Sequence, residues 1–184
     1  MEIPASAFTE ILLYLEHHPL DVGKSQHFGI VNKRSDIPDI SRQCFLHPWL
    51  YHLLLDFAKK YIKIYWTGIR ITNDSISKPS RDVSNHGNCI TIGFGDYTGG
   101  ELNVWDIPHD IRHKPLIYDG SSELHWTMPY TGTRYTLVFY TLNPTYPLIR
   151  QREDYDTVYI NNEWKIKYTD SDGTIDYLTK NARR

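Results

Sequence analysis

The chain has few of the features that mark a secreted or membrane protein. It has only 2 cysteines in 184 residues, Cys44 and Cys89, and they lie far apart in the sequence. Two distant thiols fit a reduced intracellular protein better than a disulfide framework. The chain shows no charged start followed by an apolar run, and no apolar stretch of membrane-spanning length. We therefore expect a soluble, intracellular protein that does not insert into a membrane.

An excess of charge of one sign is also lacking. The 20 Lys and Arg residues nearly balance the 22 Asp and Glu residues, which gives a formal net charge of -2. No overall electric field therefore favours nucleic acid as a partner, although a local basic groove is compatible with this balance. A chain of 184 residues is long enough to bury one core, so we expect a single domain over residues 1–184.

Helical periodicity is confined to the N-terminal third. Apolar residues recur at helical spacing over 48–61, where Pro48 suits a first helical turn, and a shorter amphipathic helix is predicted over 7–15. We interpret residues 1–62 as a helical buttress that packs an apolar stripe against a sheet.

Aromatic residues are plentiful, with 14 tyrosines and 5 tryptophans, and they favour strands because large rings suit half-buried sheet faces. From residue 61 the apolar period changes to two, the period of strands. Strands are predicted over 61–66, 68–72, 88–94, 101–105, 116–118, 124–127 and 135–142, with a turn at 73–75 and a loop at 106–113. A tight turn at 97–100 is expected to join the strands over 88–94 and 101–105 in a hairpin.

We expect residues 63–143 to form a mainly β core of jelly-roll type. Residues 144–184 are interpreted as a C-terminal extension with a β-hairpin that pairs 164–168 with 174–178. The predicted fold class is α+β, mainly β with N-terminal helices.

Three chemistry-bearing residues occur in order between Ser80 and Tyr140. They are Asp82, His125 and Arg134, and the arginine follows the histidine by nine residues. A carboxylate and an imidazole can ligate a metal, and a guanidinium can bind an anion beside it. Taken singly, each residue also has an ordinary explanation: a turn-capping carboxylate, a buried core histidine and a strand residue in a salt bridge.

The motifs around these residues are Asp82-x-x-Asn85-x-Gly87, Gly-Asp-Tyr-Thr-Gly-Gly-Glu-Leu at 95–102, Tyr118-Asp119-Gly120 and Gly132-Thr133-Arg134. Together with His125 they resemble the core of the Fe(II)/2-oxoglutarate-dependent dioxygenases. The resemblance is closest to compact members from algae and large DNA viruses, and more distant to prolyl hydroxylases and to thymine or methylcytosine hydroxylases. It covers roughly residues 67–141.

This resemblance implies a double-stranded β-helix fold and the hydroxylation of a substrate C–H bond, coupled to decarboxylation of 2-oxoglutarate to succinate. It implies that Asp82 and His125 ligate Fe(II), and that Arg134 binds the remote carboxylate of 2-oxoglutarate in a bidentate fork. Thr136 lies on the same face of the strand as Arg134, by the period of two, and can add a hydroxyl donor to the co-substrate.

The chain departs from the family pattern at the first metal ligand. The family has a histidine two residues before the aspartate, where this chain has Ser80. An alcohol that is not ionised is a poor ligand for Fe(II), so two of the three protein ligands are left. Three explanations compete: a natural pseudoenzyme that keeps the fold for binding or architecture, a ligand removed by engineering, or recruitment of His86 as the third ligand.

The sequence therefore leaves several functions open. One is an iron- and 2-oxoglutarate-dependent hydroxylase, and another is a catalytically inactive binding or structural module on the same fold. A third is a sugar- or ligand-binding jelly roll without a metal site, whose pocket would be lined by Trp105, Tyr118, Trp126 and Tyr130. The substrate is equally open: a protein side chain, a nucleobase and a small molecule all fit, and the net charge disfavours nucleic acid only mildly.

Overall fold

The computed structural model describes residues 1–32, 37–74, 77–144 and 150–178. Its helical elements are a 3-10 turn (Ala5–Phe8), α1 (Thr9–His17), α2 (Arg42–Leu46), α3 (Pro48–Tyr61) and a second 3-10 turn (Arg152–Asp154). The helix predicted over 48–61 is confirmed at both ends. Within the described ranges, no helix combines the length and the apolar character needed to cross a membrane.

The described strands are β1 (Ser25–Val31), β2 (Asp39–Ile40), β3 (Gly68–Asn73), β4 (Cys89–Phe94), β5 (Tyr97–Gly99), β6 (Leu102–Val104), β7 (Ile107–His109), β8 (Leu116–Tyr118), β9 (His125–Thr127), β10 (Tyr130–Gly132), β11 (Tyr135–Tyr140), β12 (Tyr155–Ile160), β13 (Glu163–Thr169) and β14 (Ile175–Leu178). They form a six-stranded sheet in the order β2-β1-β3-β11-β4-β8, two three-stranded sheets, β7-β6-β9 and β12-β13-β14, and a two-stranded sheet of β5 and β10. The protein is therefore mainly β with N-terminal helices, as the sequence predicted.

The six-stranded sheet has one apolar face and one polar face. Alternate residues of its central strands are fully buried and apolar: Phe28, Ile30, Ile69, Ile71, Leu137 and Phe139. This face packs against α3, where the ring of Phe57 lies 6.3 Å from that of Phe139. Because successive side chains of a strand point to opposite faces, the intervening residues project away from the helices. Many of those residues are polar, and they carry the candidate site.

Several predicted strand boundaries and pairings are corrected by the structure. Residues 62–67 are not a strand, because α3 extends to Tyr61 and β3 begins only at Gly68. The strand predicted at 88–94 does not form a hairpin with residues 101–105, since β4 pairs with β11 and β8, whereas β6 pairs with β7 and β9. The predicted turn at 97–100 contains β5, and the predicted loop at 106–113 contains β7.

The two flanking regions also contribute to the sheets. Residues 1–62, predicted as a helical buttress, supply β1 and β2 to the edge of the six-stranded sheet. The predicted C-terminal hairpin is present as β13 and β14, and β12 pairs with β13 on the other side. This sheet contacts α3 through Trp49 and Trp164, whose rings lie 5.1 Å apart. Residues 145–149 and 179–184 of the extension lie outside the described residues.

Candidate functional site

A cavity of about 250 Å³ lies against the polar face of the six-stranded sheet and is closed on the other side by β6 and β9. We call it the polar cavity. The residues that the sequence singled out as a site all line it, although they come from distant parts of the chain: Ser80, Asp82, His125, Arg134 and Thr136. The structure therefore brings the candidate residues together around one space.

One end of the polar cavity, the metal corner, is formed by Ser80, Asp82 and His125. The Ser80 amide donates to the His125 carbonyl at 3.0 Å, and the His125 amide donates to the Ser80 carbonyl at 3.1 Å. Residues paired in this way across antiparallel strands project their side chains to the same face. Asp82 Oδ2 lies 3.4 Å from His125 Nε2. All three side chains therefore meet at the cavity wall.

Two contacts orient the His125 ring, so that its Nε2 lies beside Asp82 at the cavity wall. Its Nδ1 lies 2.8 Å from the carbonyl oxygen of Glu123, which accepts a hydrogen bond, so Nδ1 carries a proton. Burial opposes the charge, but the hydrogen bonds to Asp82 and Glu123 raise the pKa of His125 overall. Burial likewise opposes the charge of Asp82, yet the bond from His125 and the charge of Arg70 lower the pKa of Asp82. Asp82 and His125 are therefore hydrogen-bond partners that favour each other's charged forms.

The metal corner does not supply the donor set of a facial Fe(II) centre. Ser80 offers a neutral hydroxyl, whereas a facial Fe(II) site uses two imidazoles and one carboxylate. His86 does not repair the deficit, since it is exposed and stands apart from the residues that line the cavity. Across the described ranges, no group of three or more His, Cys, Asp and Glu side chains is arranged to hold a metal ion. The residues present do not fit the metal that the resemblance implies.

The other end of the polar cavity, the anion corner, contains a carboxylate supplied by the chain itself. Arg134 is only 1% exposed, and its Nη1 donates to the carboxylate of Asp74. The Arg134 Nε donates to the Gly100 carbonyl at 3.0 Å, and the Thr136 hydroxyl donates to the second carboxylate oxygen of Asp74 at 3.2 Å. The two residues predicted to bind 2-oxoglutarate thus both contact Asp74. Among the described residues, Arg134 Nη2 is buried without a hydrogen-bond partner, and it is left to the predicted role.

Backbone contacts also hold Asp74 in place. Its amide donates to the Arg134 carbonyl at 3.0 Å, and its carbonyl accepts a hydrogen bond from the Tyr130 hydroxyl. Burial raises the pKa of Asp74 to about 6, although the Arg134 guanidinium and the Thr136 hydroxyl act in the opposite direction. The sequence predicted a turn here, because Asn73-Asp74 is favourable turn chemistry. The pairing of Asp74 with Arg134 was not predicted, because the two residues are 60 positions apart and no local sequence pattern connects them.

Arg70 is a second cavity residue that the motif comparison missed. It lies in the middle of β3, directly opposite His27 of β1 and Val138 of β11. Its side chain lines both the polar cavity and an adjoining cavity of about 300 Å³. The sequence did indicate the orientation of Arg70. It lies between Ile69 and Ile71, which face the helices, so strand alternation directs the arginine to the opposite face.

Comparisons with known proteins inform the fold. No family model matches the chain, and no curated protein matches it. A solved structure of NgTET1 in complex with 5mC DNA is similar, with a TM-score of 0.57 and 12% sequence identity over 79% of this chain and 71% of that chain. A 2OG-Fe(II) oxygenase family oxidoreductase from Burkholderia pseudomallei has a TM-score of 0.43 and 12% identity, over 74% of this chain and 86% of that chain.

The likeness to NgTET1 shows that the two chains share a fold. The TM-score of the Burkholderia structure is too low to carry an argument. At 12% identity the likeness concerns the fold alone, so the function has to be argued from the side chains in the cavity.

Proposed function

We propose that the protein is a binding module built on the fold of the 2-oxoglutarate oxygenases, in which the hydroxylation typical of the family does not take place. The observation that carries this proposal lies at residue 80. Its backbone pairs with His125 and its side chain lines the polar cavity beside Asp82, yet that side chain is a neutral hydroxyl. The position for a third iron ligand is present, and the ligand is absent.

The core of this module is proposed to be a double-stranded β-helix. The six-stranded sheet would be one wall, and the β7-β6-β9 sheet with the β5-β10 pair would be the other. Two observations support this arrangement. The polar cavity lies between the walls, and the bridge between Ser80 and His125 extends the smaller wall beside β9.

Fe(II) and 2-oxoglutarate are the cofactors that the family implies, and together they supply its oxidative chemistry. In this chain Asp82 and His125 would be the two protein ligands to iron. Removing even a residue that only hydrogen-bonds to a metal ligand typically lowers the affinity for the metal by about 10–100-fold. Loss of a direct ligand is more severe, so we expect weak iron binding.

The partner of the module is proposed to be a small molecule. A cavity of about 250 Å³ with polar walls suits a compact polar ligand. Of the aromatic residues considered for an alternative ligand pocket, Tyr118 and Trp126 line this cavity, whereas Trp105 is 51% exposed. The lining is therefore mixed, with charged groups at its centre rather than an aromatic cage.

The proposal is tested by anaerobic titration with Fe(II) and 2-oxoglutarate, followed by a turnover assay in air. We expect the unmodified protein to give neither the visible charge-transfer band of an iron complex with 2-oxoglutarate nor release of succinate. Ser80→His should tighten iron binding strongly, because the added imidazole completes the ligand set. Ser171→His, in the exposed turn between β13 and β14, is the matched control and should leave iron binding unchanged.

Two results would contradict the proposal. Succinate release by the unmodified protein, dependent on added iron and 2-oxoglutarate, would show that two protein ligands suffice. If Ser80→His binds iron no more tightly than Ser171→His, the metal corner is not an iron site that lacks one ligand.

A further inference from the structure

The cavity of about 300 Å³ that adjoins the polar cavity, here called the second cavity, shares the lining residues Arg70 and Val138 with it. Its other lining residues belong to β1 and β11, to positions just after these strands, and to the segment after Asp82: His27, Val31, Asn32, Ser84, Asn85, Tyr140 and Leu142. The candidate residues for iron and 2-oxoglutarate line the polar cavity and not this one. The second cavity is therefore a separate space.

The lining of the second cavity is apolar where it is buried and uncharged where it is exposed. Val138 and Leu142 are buried, whereas Asn32 and Ser84 are exposed and Asn85 is half-buried. Within the described ranges, the side chains of Asn32, Ser84 and Asn85 have no hydrogen-bond partner, and no carboxylate lines the cavity. Two amides and one hydroxyl are thus available to a ligand.

The basic side chains in the lining do not make the second cavity an anion site. His27 Nδ1 lies 2.8 Å from the Tyr140 hydroxyl. Burial, and then the charge of Arg70, lower the pKa of His27 to about 4, so this imidazole is uncharged at neutral pH. The Arg70 guanidinium acts electrostatically on the carboxylates of Asp74 and Asp82, which line the polar cavity.

This lining disfavours charged ligands of both signs. A cation would be repelled by Arg70 and would find no carboxylate among the described lining residues. An anion would lose hydration against Val138 and Leu142, and the charge of Arg70 is already shared with two carboxylates of the neighbouring cavity. An uncharged ligand avoids both costs.

An amide is the uncharged group that matches the exposed part of the lining. Asn32 and Asn85 each carry an NH₂ donor beside a carbonyl acceptor. A ligand amide presents the same two groups, so a pair of parallel hydrogen bonds can form. The aliphatic side chains of Val31, Val138 and Leu142 provide contacts for an apolar ring. Small-molecule pockets typically combine such an apolar lining with a few polar groups.

We propose that the second cavity binds a small, uncharged amide, with the amide group at Asn32 and Asn85 and an apolar ring against Val138 and Leu142. The inference goes beyond the proposed function, because it concerns a different space. It depends neither on iron and 2-oxoglutarate nor on a ligand in the polar cavity.

The test is an NMR titration of the isotope-labelled full chain, after treatment with a chelator, with three probes of one shape. Benzamide is uncharged, benzoate is an anion and benzamidine is a cation. Binding is followed at the backbone amides of Asn32 and Leu142, which line only the second cavity, and of Ser77 and Thr127, which line only the polar cavity. At Asn32 and Leu142 we expect benzamide to bind about tenfold more tightly than either charged probe.

A pair of variants tests the role of the amide. Asn85→Leu nearly keeps the size of the side chain and removes its hydrogen-bonding groups, so benzamide should bind about tenfold more weakly. Asn88→Leu makes the same change at an exposed position outside the lining and is the matched control, for which unchanged binding is expected. If Asn85→Leu does not fold, Asn32→Leu makes the same test at an exposed position.

The proposal is overturned if benzamide shifts neither Asn32 nor Leu142, or if it shifts only Ser77 and Thr127. It is also overturned if either charged probe binds at the second cavity as tightly as benzamide, or if Asn85→Leu and Asn88→Leu bind benzamide equally. Iron and 2-oxoglutarate are absent from this titration. Turnover by the unmodified protein would therefore contradict the proposed function and leave the benzamide result standing, and the reverse also holds.

Discussion

The two corners of the polar cavity depart from the expected dioxygenase site in opposite ways. The metal corner has too few groups, because Ser80 offers a hydroxyl where an imidazole is needed beside Asp82 and His125. The anion corner has one group more than expected, because Asp74 contacts both residues that were predicted to bind the co-substrate carboxylate. One corner lacks a ligand for the metal, and the other receives its carboxylate from the chain.

The corners also differ in how much of the fold depends on them. In the metal corner the Asp82 side chain is 21% exposed, and its partner lies at 3.4 Å. In the anion corner the Arg134 side chain is 1% exposed and belongs to a connected set of hydrogen bonds. We therefore expect the anion corner to contribute more to stability than the metal corner does. The four predictions below test this difference.

The largest effect is expected for Arg134→Gln. It leaves the Asp74 carboxylate buried without its partner, which typically costs about 3–5 kcal/mol of unfolding free energy. Urea denaturation near neutral pH measures this loss, with Arg42→Gln as the exposed control. The double variant Asp74→Asn/Arg134→Gln should recover part of the stability, because no unpaired carboxylate is left. A loss below about 1 kcal/mol, the value of an exposed ion pair, would mean that the pair is not structural.

The second prediction concerns pH. A carboxyl group with a raised folded-state pKa contributes stability that is fully present below its unfolded pKa and is lost as the pH rises through the folded value. The folded pKa of Asp74 is about 6. The charged and titratable groups facing it, Arg134, Arg70, Tyr97 and Tyr130, do not titrate in acid.

The unfolding free energy of the unmodified protein, relative to Asp74→Asn, should therefore fall by about 2–3 kcal/mol between about pH 4 and about pH 6. Urea denaturation of both proteins across this range measures the difference. A difference that stays constant with pH would show that Asp74 titrates normally.

A smaller effect is expected for Thr136→Val. This change removes one hydroxyl donor from the Asp74 carboxylate and should cost about 1 kcal/mol. Thr98→Val is the control, since the Thr98 hydroxyl pairs with that of Thr131 at an exposed site. Thermal unfolding of the two variants should rank Thr136→Val as the less stable. The opposite ranking would show that the Thr136 hydroxyl does not support the anion corner.

The smallest effect is expected for Ser80→Ala. The two backbone hydrogen bonds to His125 do not depend on the side chain, so stability should stay within about 0.5 kcal/mol of the unmodified protein. The same urea measurement applies. A loss above about 1 kcal/mol would mean that the Ser80 hydroxyl is part of a structural network, and the contrast between the corners would then disappear.

The sequence predicted the parts of the fold that depend on local patterns. The helix over 48–61 and the hairpin of β13 and β14 follow from apolar periodicity and turn residues close in sequence. The pairing of β4 with β11 was missed, because partners so far apart in the chain leave no local signal and a hairpin with the next strand looked simpler.

The candidate site shows the same limit. Asp82, His125 and Arg134 were brought together by resemblance to a family, since neither spacing nor composition says that they meet. Asp74 was missed because its neighbours favour a turn and its partner Arg134 lies on another strand. Arg70 was detectable from strand alternation, although alternation does not show that the residue borders a cavity.

The bridge between Ser80 and His125 has a consequence for dynamics. Ser80 forms an isolated bridge and is not part of an extended strand, so no neighbouring ladder of hydrogen bonds protects its amide. Its hydrogen exchanges with solvent only when this pair of bonds opens, which makes the exchange rate a measure of local opening at the cavity wall. Ser80 is thus a built-in probe of how often the wall separates, readable at one residue with neither metal nor ligand present.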